Sequence, residues 1–295
     1  MTIRQEMLRA AARAIDLLGP SAQKVASFLR SRMNPDGGFQ DRAGKSDLYY
    51  AAFALQGLAA LGAETPRAAV EYVAGFGAGE RLDLVHLACL ARCHATLGCS
   101  ACPEAVRTRL VEAVERHRTP DGGYNLSPSA RFGAAYCCFL ALGAYQDLRA
   151  ELPRPQPVRE SVQSLRAIDG GYANERGLPV GATAATAAAV CALLHLGVPA
   201  DPSAGQWLLA RRGPDGGFGA FDGAPGDDLL STAVAVHALA VLGADLGAAR
   251  RPCIEFVMDL QCADGGFRGH RADDAPDCEY TFYALLALGH LSPQP

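Results

Sequence analysis

Several absences narrow this chain before any motif is read. It has no surplus of basic residues: 27 Lys and Arg stand against 31 Asp and Glu, for a net charge of −4 and a pI near 6.0. No basic stripe is available to follow a phosphate backbone, so nucleic acid is not expected as a partner. The opening Met1-Thr2-Ile3-Arg4-Gln5-Glu6 lacks the apolar stretch of a secretory signal, and a cytoplasmic location is expected. No low-complexity linker divides the chain. Its 295 residues, 49% hydrophobic and 20% charged, can bury one large core, so 1–295 reads as a single domain. One stretch, 177–200, is free of charge over a length that could span a bilayer. It is mostly Ala, Gly and Thr and contains Pro179 and Pro199, so it reads as a buried core helix, and no membrane span is expected.

What the chain does contain is a repeat. Asp36-Gly37-Gly38-Phe39 recurs as Asp121-Gly122-Gly123-Tyr124, Asp169-Gly170-Gly171-Tyr172, Asp215-Gly216-Gly217-Phe218 and Asp264-Gly265-Gly266-Phe267, at intervals of 85, 48, 46 and 49 residues. The first interval spans two units, and a degenerate copy falls near Gly75-Phe76-Gly77-Ala78-Gly79. Six units follow. Glycine permits positive φ and close backbone approach, while the aromatic anchors the turn, so each phrase reads as a clasp between helices.

After each clasp comes an Ala- and Leu-rich segment ending near a Gly: 47–62, 83–98, 129–143, 181–197, 227–243 and 277–289. The closing Gly suits a helix C-terminus, and Asp47, Asp83, Asp227 and Asp277 suit N-caps. A second, amphipathic set falls near 21–32, 66–76, 103–118, 156–166, 202–211 and 250–261. Helices that are apolar all round must be buried, and amphipathic ones can face water. The expected fold is therefore all-α, an inner ring inside an outer ring, with six repeats over 19–292 and one extra helix within residues 1–18. A closed α6/α6 toroid and an open solenoid both fit six helical pairs.

The ten cysteines are expected to be reduced. Cys137, Cys138 and Cys191 fall within inner helices and read as small hydrophobes. The group His86, Cys89, Cys93, His94, Cys99 and Cys102 contains ligand-like spacings, so a structural metal site stands there beside plain packing.

The run Gly37-Gly38-Phe39-Gln40-Asp41-Arg42-Ala43-Gly44-Lys45-Ser46-Asp47-Leu48-Tyr49-Tyr50 resembles the β subunits of protein prenyltransferases and the wider prenyltransferase and squalene-cyclase repeat superfamily. The resemblance extends over essentially the whole chain. It implies the closed toroid, with a central funnel holding an isoprenoid, and a Zn²⁺ ion held by Asp-x-Cys at one inner helix and by His at the next. Asp47 and His86 match, but Tyr49 replaces the Cys; Cys89, one turn beyond His86, is a variant ligand. At the last repeat Asp277 matches and Glu279 replaces the Cys, which makes that pair a second-choice site. An Asp at a helix start is also what an N-cap requires, at about 1 kcal/mol.

The resemblance further implies diphosphate capture at the funnel mouth, where Arg271 and Tyr280 match while Asp274 occupies a Lys position. The aromatics Tyr49, Tyr50, Phe53, Phe132, Tyr136, Phe282 and Tyr283 line the funnel or pack the barrel. The cyclase branch protonates its substrate from Asp-x-Asp-Asp; the nearest phrases, Gly226-Asp227-Asp228 and Ala272-Asp273-Asp274, lack the first Asp, and a second barrel domain is expected for that activity. The readings that stand are a prenyltransferase β-subunit-like protein that binds an isoprenoid diphosphate and transfers it to a thiol, with a helical α-subunit-like partner; a non-catalytic toroid that binds a lipid or protein; and a small terpenoid-processing enzyme.

Overall fold

The Asp-Gly-Gly-aromatic clasps are built by local hydrogen bonding. In a computed structural model that describes residues 1–98 and 102–293, the first Gly of every clasp has φ between +85° and +98°, a region that side-chain-bearing residues avoid. In four clasps the Asp carboxylate accepts from the second Gly N–H, at 3.0–3.2 Å. The aromatic side chain is then buried: Phe39, Tyr124, Phe218 and Phe267 are fully enclosed. In four clasps the backbone N–H of the aromatic residue donates to a side chain on the following inner helix fourteen residues on, as from Tyr172 to Thr186 Oγ1 at 2.8 Å and from Phe218 to Thr232 Oγ1 at 2.9 Å. Each of these clasps thereby docks the end of an outer helix on an inner one.

The inner helices are α4 (Leu48–Ala60), α6 (Leu84–Leu97), α8 (Ala135–Asp147), α10 (Thr183–His195), α12 (Leu229–Val241) and α14 (Cys278–Leu291). Each packs on the next, and α14 packs on α4. The ring is closed. The outer helices are α3 (Ser21–Ser31), α5 (Arg67–Ala74), α7 (Glu104–Glu115), α9 (Pro155–Gln163), α11 (Pro202–Leu209) and α13 (Arg250–Asp259), and each packs on the inner helix of its own repeat. Two short hairpins, β1 (Phe39–Gln40) with β2 (Ser46–Asp47) and β3 (Phe218–Gly219) with β4 (Asp227–Asp228), close the first and fifth repeats. No helix among the described residues is long and apolar enough to cross a membrane.

The loops also reach one step around the ring. Asn174 Oδ1 accepts from Tyr136 N–H at 3.0 Å, supplying the cap that Ala134 lacks. In the same way Ala220 O receives Thr183 N–H and Gly269 O receives Leu229 N–H, both at 2.8 Å. At the seam between last and first repeats, Arg42 performs this role, binding Asp273 bidentately and Asp277 at 2.9 Å.

The expected N-terminal helix is broken in two, α1 (Ile3–Ala12) and α2 (Ile15–Leu18). Helix α1 lies under the ring against α4, α8 and α14 and forms a floor. Its Glu6 meets His195 at 2.9 Å, and its Arg4 meets the buried Asp147 at 2.8 Å. This floor explains one departure from the expected boundaries: Gly289 lies inside α14, because any Cβ there would overlap the Ala10 carbonyl. Gly143 is likewise inside α8, which starts six residues later than expected. In the fifth repeat Asp228, not Asp227, caps the inner helix through Ser231 N–H; Asp227 accepts from Gly217 N–H at 3.0 Å and so stands in for the clasp Asp.

Candidate active site

Counting from the N-caps Asp47, Asp83, Ala134, Ala182, Asp228 and Asp277, three positions recur on the wall of a central cavity. The sixth residue gives Phe53, Cys89, Leu140, Ala188, Val234 and Tyr283, all of which line this cavity of about 260 Å³. The second residue gives an upper tier with Tyr49, Tyr136, Ala184 and Leu230 on the cavity wall, and Glu279 in the matching place on α14. The ninth gives a deep tier of Gln56, Arg92, Cys191, His237 and Leu286. Met7 of α1 closes the bottom. At a helical rise of about 1.5 Å per residue, the upper and deep tiers lie about 10 Å apart.

The wall is apolar and aromatic. Tyr49 packs edge-on against Phe53 at 4.9 Å, and Phe53 packs on Tyr283 at 5.4 Å. The alanines of α10 leave the free volume. Glu279 does not itself line the cavity but is bonded to a residue that does, Tyr49. Burial pushes its carboxyl up to about 7, and neighbouring Asp277 adds to the rise, while the hydrogen bond from Tyr49 opposes it. The Tyr49 hydroxyl donates to Glu279 Oε1 at 2.6 Å, which leaves the second oxygen able to carry the proton. Burial thus favours the protonated form of this carboxyl.

Of the residues singled out from the sequence, the cavity gathers Tyr49, Phe53, Tyr136, Tyr283 and Cys89. Tyr50 sits beside Tyr49 at 5.6 Å but off the wall. Phe282 is fully buried behind it, in contact with Phe53. Phe132 is largely exposed, under Arg176. Tyr280 faces the Arg42 guanidinium at 5.4 Å. Arg271 is drawn to the outside of the ring, where Asp215 and Asp259 hold it at 2.8 and 2.9 Å. At the mouth, Arg42 is committed to Asp273 and Asp277, and it holds the Asp273 carboxyl down at about 2.

Of the expected zinc ligands, Asp47 and His86 lie near each other, but each is otherwise engaged. Asp47 and Asp83 cap their helices by accepting from Tyr49 and His86 N–H. His86 Nδ1 is held by Asp83 at 2.8 Å, and its Nε2 is 3.9 Å from Asp47. Cys89 points into the cavity, where burial pushes its thiol up to about 12, so it is not a ready thiolate. Asp277 is taken up by its cap and by Arg42. No group of three or more His, Cys, Asp or Glu side chains among the described residues is placed to hold a metal ion, so this donor arrangement does not fit zinc. Of the cysteine cluster, Cys99 lies outside the described residues, while Cys89 and Cys93 are buried in α6.

The prenyltransferase alpha-alpha toroid domain matches residues 11–89, 89–204 and 202–293. The chain belongs to this family. No curated protein matches it in sequence. Among solved structures it is similar to a type II terpene cyclase from Scytonema in complex with merosterolic acid A, at 15% identity and TM-score 0.64, covering 94% of this chain and 97% of that one. It is also similar to protein geranylgeranyltransferase-I from Candida albicans complexed with GGPP, at 14% identity and TM-score 0.65, covering 90% and 89%, and to a protein from Actinoplanes at 19% identity and TM-score 0.61, covering 92% and 98%. These likenesses establish the toroid fold. The Scytonema structure also removes one expectation: a terpene cyclase of this fold is matched over nearly its whole length by this chain, so such an activity does not require a second barrel.

Glu279, expected as a second-choice metal ligand with Asp277, stands at the second position of α14 and is bonded to Tyr49. Aligning the six N-caps would have found its register, together with those of Gln56, Arg92 and His237.

Proposed function

We propose that this toroid binds an isoprenoid chain in its central cavity and acts on it as a proton-donating terpenoid isomerase or cyclase. The observation that carries the reading is Glu279, a carboxyl bonded at 2.6 Å to the cavity residue Tyr49 beside an apolar, aromatic wall, where burial favours its protonated form. In the step proposed, the Glu279 O–H transfers its proton to one carbon of an alkene, and the π electrons form the new C–H bond. The cation left on the neighbouring carbon faces the rings of Tyr49, Phe53, Tyr136 and Tyr283, whose π faces stabilise positive charge. Loss of a proton from an adjacent carbon to the Glu279 carboxylate restores the acid and gives an isomer; attack by a second alkene before that loss gives a ring. The Tyr49 hydrogen bond orients the carboxyl and stabilises the carboxylate formed in between.

The geometry favours this chemistry over thiol prenylation, which needs a thiolate and cations for a diphosphate. The nearby Arg42 is already neutralised by two carboxylates, Asp273 and Asp277, and so is not free to hold a diphosphate. The test is incubation with a mixture of geraniol, farnesol and geranylgeraniol and analysis for products of unchanged mass. The wild type is expected to form them and Glu279→Gln to form none; equal product from both would overturn the assignment.

A further inference from the structure

The deep end of the cavity is not apolar. Gln56 is fully buried and His237 is 4% exposed, and they stand at the same depth on α4 and α12. The Gln56 side-chain N–H donates to Ala52 O at 3.2 Å within its own helix, and its Oε1 has no hydrogen-bond partner. His237 Nδ1 is paired with His290 Nε2 at 2.8 Å, and His237 Nε2 has none. Both side chains line the cavity. Burial, reinforced by its histidine neighbours, pushes His237 down to about 3, and burial with Arg13 pushes His290 down to about 4, so both imidazoles are neutral. Arg92 reaches the same tier from α6, 3.7 Å from Asp147, which Arg4 shares. The other charge near this floor, Glu6, is turned to His195.

Buried polar groups in folded proteins are normally paired, and an orphaned pair at the bottom of a binding cavity marks where a ligand supplies the partner. Oε1 of Gln56 accepts only, so the ligand must donate there. The neutral His237 Nε2 accepts or donates according to which nitrogen of the His237–His290 pair carries the shared proton. A hydroxyl, which both donates and accepts, meets the requirement at either atom. A carboxylate would set oxygen against oxygen at Gln56, and a methyl terminus would leave both atoms unpaired.

We infer that the deep tier is a hydroxyl-binding subsite, and that the ligand is a prenyl alcohol, or a chain bearing an equivalent terminal hydroxyl, that enters hydroxyl-first. This rests on the isoprenoid reading above and extends it. The alcohol on Gln56 and His237 fixes the chain's direction and turns its far, alkene end toward Glu279, about 10 Å higher.

The test compares geraniol with myrcene, a hydrocarbon of similar skeleton without the hydroxyl, by titration calorimetry on the wild type, Gln56→Met and His237→Phe. The wild type is expected to bind geraniol at least about tenfold more tightly than myrcene, and each variant to lose most of that ratio through weaker geraniol binding while myrcene binding is kept. A wild-type ratio near one, or an unchanged ratio in both variants, overturns the subsite and leaves the cavity reading standing. Failure of both compounds to bind overturns both. Melting of the unliganded proteins gives a second readout: Gln56→Met should melt at the wild-type temperature or above it, since it removes an unpaired buried oxygen, and a clear fall would show that the amide serves the fold instead.

Discussion

Tyr49 and Glu279 meet across the seam of the ring, hydroxyl to carboxylate at 2.6 Å, although 230 residues separate them in the chain. The seam is where α14 closes on α4, and Arg42 stitches it again through Asp273 and Asp277. An acid placed at this junction is oriented by both ends of the domain. Its protonation is therefore coupled to closure of the toroid.

That coupling has a definite sign. Glu279 is raised from 4.5 to about 7, so between those values the folded protein holds a proton that the unfolded chain releases. Stability from this group is full below about pH 4.5 and is lost as pH rises through about 7, by as much as a few kcal/mol at about 1.4 kcal/mol per pH unit. Glu279→Gln keeps the Tyr49 contact and removes the ionisation. Urea unfolding at about pH 5 and about pH 8 should show a smaller difference for the variant than for the wild type.

Ala188 is a middle-tier residue on the cavity wall with little side chain of its own. Ala188→Phe should fill the space and abolish prenyl alcohol binding in calorimetry, while melting changes by no more than overpacking costs, about 1–3 kcal/mol. Retained binding would place the ligand outside the ring.

Gly289 passes directly under the Ala10 carbonyl. Gly289→Ala should lift α1 from α14 and lower stability by about 2–3 kcal/mol. Hydrogen exchange of α1 amides, measured in the same variant, should rise ahead of those in the inner ring.

The absence of an assembled three-donor group among the described residues predicts that purified protein carries well below one zinc per chain by elemental analysis. Chelation should leave its melting temperature unchanged. Near one zinc per chain, lost in His86→Ala, would instead restore the thiol-transfer reading.

Much of the fold was legible because the Asp-Gly-Gly-aromatic phrase both marks the repeat and performs the docking, and its aromatics are buried as read. Element ends were less legible. Gly143 and Gly289 look like helix stops yet lie inside their helices, and at Gly289 a Gly required for close approach is indistinguishable in sequence from one required for positive φ. The site was half legible: Phe53, Tyr136 and Tyr49 fall in the cavity-lining registers, whereas Phe282 and Tyr280 miss those registers by one residue each. Arg271 matched a motif but is captured by Asp215, a partner from the preceding clasp. The Glu279 environment arises from residues at the two chain ends, and no local pattern announces it.

The most direct test is deuterium uptake. The protein is incubated in D₂O with the three prenyl alcohols named above, and recovered material is analysed by mass spectrometry and NMR. The account predicts carbon-bound deuterium in wild-type products and its loss by about a hundredfold or more in Glu279→Gln; alcohols recovered without carbon-bound deuterium from the wild type, despite measured binding, would contradict it.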